Sequence, residues 1–243
     1  MTARPTLGLL MLDTAFPRPP GDVGYPDTFS FPVIRRVVRG ASAQVVVRER
    51  GGATLDAFRE AARDLAAQGA RAILTSCGFL TLFQRDIAEA CGVPVAVSAL
   101  LQAAPVERML SAGKRVGVVT FEAASLTADH LIAAGAAPDA PVEGIEGGEL
   151  HRVICGDLAH LDQAAAERDV VTAALRLKAR GDVGALVLEC ANMAPYAAAA
   201  ARATGLPVFD VVTLGEAVAA ALAPRVFPRP ESARDLGAAR KAG

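Results

Sequence analysis

Two stretches of the chain repeat one arrangement, and that repetition constrains the fold more than any other feature. "LTSCGFLTLFQRDIAEACGVPV" runs from Leu74 to Val95, and "LECANMAPYAAAAARATGLPV" runs from Leu188 to Val208. In each, an apolar run ends in a cysteine, a helical stretch follows, and Gly-x-Pro-Val closes the segment. Cys77 precedes Gly92 by 15 positions, and Cys190 precedes Gly205 by the same 15. Matching Gly8 with Gly117 as well gives two copies of about one hundred residues, a period too long for a solenoid.

The runs between these landmarks alternate in kind. Residues 6–12 (TLGLLML), 43–49 (AQVVVRE), 70–76 (ARAILTS) and 93–99 (VPVAVSA) read as strands. Residues 53–69 and 81–92 read as helices, with apolar positions recurring at three and four and a glycine ending each. The series then restarts, with strands at 114–120, 140–146, 183–189 and 206–212 and helices at 125–135, 161–181, 194–205 and 213–224. Strands that alternate with helices imply parallel sheets joined by right-handed crossovers. Continuous apolar strands imply sheets covered on both faces. The predicted fold is therefore α/β: two pseudo-symmetric lobes, each a four-stranded parallel sheet flanked by helices, with a cleft between them. The first lobe is placed at 1–99 and the second at 100–212. The crossing lies near 99–113, and residues 213–243 are available to pack back on the first lobe.

Composition excludes several functions. Twenty-five basic against 26 acidic residues leave a net charge of -1. That balance lacks the basic excess of a chain that binds nucleic acid or anionic membranes. No apolar stretch approaches the ~20 residues of a membrane span. The opening residues read as a first strand and not as a signal peptide. Four cysteines (Cys77, Cys91, Cys155, Cys190) are too few for a disulfide scaffold, and reduced thiols suit the cytoplasm. No pair of them sits at C-x-x-C spacing, so no metal is expected. No nucleotide-binding glycine pattern is present, and no cofactor is expected.

In an open parallel sheet, ligands bind beyond the carboxyl ends of the strands. Cys77 and Cys190 both fall there, and facing lobes would bring them to opposite sides of one cleft. A helix start favours an anion, which predicts a lowered thiol pKa at both. Two such groups suit stereoinversion: one removes a proton from carbon and the other returns one on the opposite face. The bland alternative is that both are packing residues, since free cysteine is commonly buried. Equivalent placement in a repeat favours the active role. Cys91, opposite Thr204 in the repeat, and Cys155, in an irregular segment, read as structural.

At these residues the chain resembles the aspartate/glutamate racemase superfamily, which also holds hydantoin racemases, maleate cis-trans isomerases and arylmalonate decarboxylases. "TSCGF" and "LECANM" resemble its two cysteine motifs. "GDVGYPDTFSFPV" (21–33) resembles a loop of an aspartate-racemase-like branch, and "RVGVVTFEAASLTADHL" (115–131) resembles the opening of the family's second lobe. The resemblance covers nearly the whole chain. It implies a cofactor-independent amino-acid racemase with Cys77 and Cys190 as the acid/base pair and a small carboxylate as substrate. It also implies a homodimer. Ser76, Gly78 and Phe79 flank the first thiol; Asn192 and Met193 follow the second, with the Asn192 amide a carboxylate donor. Thr120 stands where the family offers a hydroxyl. Ser125 either does the same or caps the helix after it.

Asp13 and Thr14 end the first strand. Asp13 is read as an ammonium ligand, with bracing of its own loop as the alternative. Tyr25 and Thr28 lie on a Pro/Gly-rich loop that is either a cover for the cleft or plain surface. Arg18, Arg48 and Arg50 are candidates for holding a second acidic group. Glutamate racemases follow the first cysteine with Asn-Thr and the second with Thr-His. Here Gly78-Phe79 and Ala191-Asn192 stand there, which argues against glutamate racemase itself. A maleate-type isomerase or hydantoin racemase would use the same cysteines. A decarboxylase fits less well, because the arylmalonate type keeps only the second-lobe cysteine. A non-catalytic two-lobe binding protein is the reading from a different class.

Overall fold

A computed structural model describes residues 5–48 and 52–227. The first sheet is built from β1 (Leu7–Leu12), β2 (Val33–Val38), β3 (Ala72–Thr75) and β4 (Val95–Ala96). Helices α1 (Leu55–Ala67), α2 (Gln84–Cys91) and the short α3 (Ala103–Glu107) belong to this half of the chain. The second sheet comprises β5 (Arg115–Thr120), β6 (Val142–Gly144), β7 (Val183–Leu188) and β8 (Val208–Phe209). It carries α4 (Ala128–Ala133), α5 (Glu149–Gly156), α6 (Gln163–Ala179) and α7 (Ala197–Thr204), and α8 (Val211–Leu222) follows its last strand. The strand orders are β2-β1-β3-β4 and β6-β5-β7-β8, and all pairs are parallel. The duplication read from the sequence is thus a duplication of topology.

Each copy turns back in the same way. Gly92 and Gly205 follow α2 and α7 with φ of 69° and 67°, the left-handed backbone that glycine adopts without a Cβ penalty. Both central strands, β1 and β5, are buried nearly end to end. One core cluster runs through both lobes, from Leu10, Phe58 and Ile73 to Val118, Leu177 and Leu186.

The strand predicted at 43–49 is not there. Gln44–Arg48 form a π-helical turn that buries Val46 and Val47, and Glu49 lies outside the described residues. The second strand of the sheet is Val33–Val38 instead, with Arg35 and Arg36 exposed. The physical reason is position: β2 is an edge strand with an open face, so it does not need an unbroken apolar run. The β-branched run Val45–Val47 satisfies its burial through a turn.

Helix α8 lies against the first sheet. Val211 and Ala219, with Leu214, Val218 and Leu222 beside them, pack on Leu7, Leu9, Phe29 and Leu74. Gly215 permits this approach: a Cβ there would meet Phe29 at 2.7 Å and Leu74 at 2.8 Å. Among the described residues, no helix is long and apolar enough to cross a membrane.

Candidate active site

The ends of β3 and β7 are shaped to stop the strand and present the next residues. After β3, the Thr75 hydroxyl donates to the Val97 carbonyl (2.5 Å), lies 3.0 Å from the Cys77 carbonyl and accepts from the Cys77 N–H. Cys77 then opens the 3-10 turn Gly78–Phe83, and Cys190 opens the matching turn Ala191–Tyr196. Both thiols face one small cavity between the lobes, about 20 Å³ in volume. Leu12, Phe16, Val47, Phe79, Phe121 and Ile154 give it apolar walls. Its polar lining comes from Arg18, Ser76, Glu189 and Asn192.

The loop after β1 forms one wall and is latched to the second lobe. The N–H groups of Ala15 and Phe16 donate to the Asp157 carboxylate at 2.7 and 2.9 Å. Asp157 holds φ 46° at the end of α5, a left-handed conformation that Asp tolerates better than most residues. Deeper in, the Asn192 amide donates to Asp22 at 2.7 Å. Arg18 donates to the other Asp22 oxygen at 3.0 Å and to the Thr14 hydroxyl at 2.9 Å, and lies over the Phe16 ring. Asp22 is 1% exposed, so its charge requires that arginine. The Cys190 S–H donates to the Asn192 carbonyl oxygen at 3.6 Å. A hydrogen-bond chain therefore runs from the second thiol through Asn192 and Asp22 to Arg18.

The thiols are not acidified. Burial pushes Cys77 up to about 12, helped by the neighbouring Glu189 carboxylate, while the N–H groups of Phe79 and Leu80 pull the other way. Cys190 is likewise raised by burial and by Glu189, against the Asn192 N–H. The backbone donors expected from the helix starts do point at the sulfurs. In a site shut off from water, desolvation outweighs them.

Glu189 is the functional-site residue that sequence reasoning passed over. It is 1% exposed and lines the same cavity. Burial raises its carboxyl to about 7, against hydrogen bonds from Thr120 and the Phe121 N–H. The Thr120 hydroxyl donates to Oε2 at 2.8 Å. Among the described residues, Oε1 has no hydrogen-bond partner. A Cβ on residue 78 would overlap both Oε1 and the Glu189 carbonyl oxygen. The departure from the family pattern at Gly78 is therefore the space that Glu189 fills. The signal was available in "LEC": an acid inside an apolar strand end is rarely placed there for packing.

The other predicted residues divide. Ser76, Gly78, Phe79 and Asn192 line the cavity with the two cysteines. The Ser76 hydroxyl accepts from the Leu12 N–H. Thr14 reaches the site only as a support for Arg18. Thr120 spends its hydroxyl on Glu189. Met193 is fully buried but is not part of the cavity wall. Asp13 is exposed and accepts from the Gly40 N–H at 3.0 Å, which braces its own loop. Thr28 donates to the Asp22 carbonyl, and the Tyr25 carbonyl accepts from Arg35; neither side chain lines the cavity. Ser125 bonds to Glu122, and the cap of α4 is Thr127, in a reciprocal bond with His130.

Of the three arginines, Arg18 lies in the cavity wall. Arg48 sits at the rim, paired with Glu122 at 2.9 Å beside Cys155 and His151. Arg50 lies outside the described residues. Cys91 bonds only to carbonyls of its own helix end. Among the described residues, no group of three or more His, Cys, Asp or Glu is placed to hold a metal ion.

A sequence model of the family "Asp/Glu/Hydantoin racemase" matches residues 97–220, which include Cys190 but not Cys77. Dimethylsulfoniopropionate lyase 5 of Emiliania huxleyi is 28% identical over 225 residues, covering 87% of this chain. The chain spans only 44% of the length of that relative. Dimethylsulfoniopropionate lyase of Durusdinium sp. clade D is 26% identical over 221 residues, covering 85% of this chain and 71% of the relative. Among solved structures, a cysteine variant of arylmalonate decarboxylase superposes with a TM-score of 0.62 at 20% identity, covering 93% of this chain and 97% of that one. Allantoin racemase from Pseudomonas fluorescens gives 0.57 at 20% identity, covering 93% and 99%. At that identity the structures establish a shared fold.

Proposed function

The chain belongs to the Asp/Glu/Hydantoin racemase family, and from that premise we propose that it removes a proton from the carbon next to a carboxylate, with no cofactor, using Cys77 and Cys190 as base and acid. One observation carries this reading: thiols from equivalent points of two lobes line a single cavity. Two thiols, one on each lobe, can deliver and remove a proton at opposite faces of one carbon. The product is then the mirror-image acid, which makes an amino-acid racemase the first reading. The substrate carboxylate faces Arg18, the cation of the lining. Negative charge developing on that carboxylate in the transition state meets a donor already in place. Arg18 is the one cationic side chain of the lining, so an acid with one carboxylate matches this cavity better than aspartate or glutamate.

The lyase relatives favour a second reading, β-elimination from a sulfonium carboxylate. A thiolate would take the proton next to the carboxylate, and the carbon–sulfur bond would break with its electron pair leaving on sulfur. Dimethylsulfoniopropionate would give dimethyl sulfide and acrylate. Phe16, Phe79 and Phe121 line the cavity, and aromatic rings attract a sulfonium cation. Both readings share the first proton transfer; they differ in whether the carbanion is reprotonated or expels a leaving group.

Proton NMR in D2O separates them. The substrates are D- and L-amino acids, 5-substituted hydantoins, maleate and dimethylsulfoniopropionate. Loss of an α-proton signal with inversion supports the racemase, and vinyl signals of acrylate support the lyase. Maleate turning into fumarate moves the protein to a cis-trans isomerase. No reaction with any of them, and no protection of the thiols by these acids, sinks the enzymatic reading in favour of a binding protein.

A further inference from the structure

We infer that Glu189 is the proton acceptor for both thiols, so that the cavity holds one negative charge that moves between its carboxylate and sulfur. The inference rests on the reading of Cys77 and Cys190 as base and acid, and it adds a positioning residue that acts through them. A thiol must lose its proton before it can act as base. Water is largely excluded here, so a base inside the cavity has to take that proton.

The geometry leaves one group for the task. The titratable and charged groups gathered around the cavity are Cys77 at the end of β3, Cys190 after β7, Glu189, and the Arg18–Asp22 pair on the first loop. Asp22 is already engaged by Arg18, Asn192 and the Gly24 N–H. The strand β5 and the segment after β4 bring hydroxyls, Thr120 and Ser98. Of these groups, Glu189 alone has a buried carboxylate oxygen without a hydrogen-bond partner among the described residues. It lines the same cavity as both sulfurs.

The step balances within the cavity. Neither thiol is hydrogen-bonded to Oε1 in the structure, so the Glu189 side chain turns toward the sulfur first; the S–H proton then moves to Oε1, the S–H electron pair stays on sulfur, and Glu189 becomes a neutral acid. Net charge in the cavity does not change, so no ion has to be created in an apolar space. The thiolate then takes the substrate proton. When the opposite thiol delivers its own proton, that sulfur becomes the thiolate, and Glu189 stays protonated. One carboxyl thus serves both directions of an inversion. Gly78 is part of the device, because any side chain there would displace the carboxylate.

Thiol labelling against pH tests this without substrate. Alkylation of Cys77 and Cys190 by iodoacetamide is followed by mass spectrometry from pH ~5 to pH ~9.5. In the wild type, the rate is expected to climb tenfold per pH unit and level off near the Glu189 ionisation at about 7. Above it, the proton inventory is fixed and the thiolate fraction is constant. In Glu189→Gln, the levelling disappears and the climb continues past pH ~9. Thr120→Val removes a donor to the ionised carboxylate and keeps Glu189, so its levelling point moves upward by about half to one pH unit. A Glu189→Gln protein that still levels near pH 7, or a Thr120→Val profile that coincides with wild type, overturns the inference. If Glu189→Gln does not fold, Thr120→Val decides. Levelling that shifts as expected while no substrate exchanges in D2O keeps the inference and rejects the catalytic reading.

Discussion

The two lobes share strand order, turn and cap, yet the two cysteine sites differ in charge. In the first lobe, Cys77 lies between Ser76 and Gly78; in the second, Cys190 lies between Glu189 and Ala191. The backbone N–H of Ser76 donates to Leu10 on its neighbouring strand, and that of Glu189 donates to Val119 on the equivalent strand. Equivalent backbones thus hold a neutral hydroxyl on one side and a carboxyl on the other. The Ser76 hydroxyl is closed off by the Leu12 N–H, whereas one Glu189 oxygen has no hydrogen-bond partner among the described residues. The first lobe answers with a missing side chain, at Gly78. A duplicated scaffold can thus stay symmetric in hydrogen bonding and become asymmetric in electrostatics, through a complementary pair of changes across the cleft.

Removing either thiol should break the comparison most severely. On the racemase proposal, Cys77→Ala and Cys190→Ala are each expected to lower net inversion by roughly 10²–10⁴, the usual range for losing a general acid or base. One single variant should still exchange the α-proton of one enantiomer, because one base remains. Chiral chromatography alongside NMR would register this, and wild-type inversion in either variant would end the two-thiol mechanism.

Next in size is the stability effect of Glu189. Its folded carboxyl titrates at about 7, above the ordinary carboxylate range. The unfolded chain therefore loses this proton first. Stability from the neutral acid is complete below the unfolded pKa and is lost as pH rises through the folded one. An upper bound of roughly 3 kcal/mol comes from about 1.36 kcal/mol per pKa unit. Between about pH 5 and about pH 8, the urea midpoint should fall less in Glu189→Gln than in wild type. Equal pH dependence in both proteins would mean that Glu189 does not carry the buried charge.

Gly78→Ala sharpens the pairing across the cleft. Its Cβ would overlap Glu189 Oε1 and the Glu189 carbonyl oxygen, so both the carboxyl and the backbone must shift, at about 1–3 kcal/mol for overpacking. Ala191, its counterpart, already carries a Cβ, and Ala191→Gly should cost no more than about 1 kcal/mol. Combining Gly78→Ala with Glu189→Ser should recover part of the loss, since neighbouring sites couple by more than about 0.5 kcal/mol. Additive losses in thermal denaturation would show that the two residues are independent. The smallest effect is expected at Asp13→Ala, within about 0.5 kcal/mol and without loss of turnover, because this carboxylate is exposed and caps Gly40. A tenfold fall in kcat/KM there would return Asp13 to the substrate.

Much of this was legible in the sequence because it depends on local rules. Apolar runs, glycine stops and the repeated Cys…Gly-x-Pro-Val spacing specify two α/β units and put both cysteines at strand ends. The sheet edge was misread at 43–49 because β-branched residues satisfy burial in a turn as well as in a strand, and only the neighbouring strand decides which. What surrounds each thiol is a matter of tertiary contact. Asp22 meets Asn192 from 170 residues away, and Thr120 meets Glu189 from 69. Helix starts promise acidic thiols, yet closing the cavity removes the water that would solvate a thiolate, and burial reverses the sign. Charge placement depends on desolvation, desolvation depends on how the two lobes close on each other, and no local pattern of residues encodes that distance.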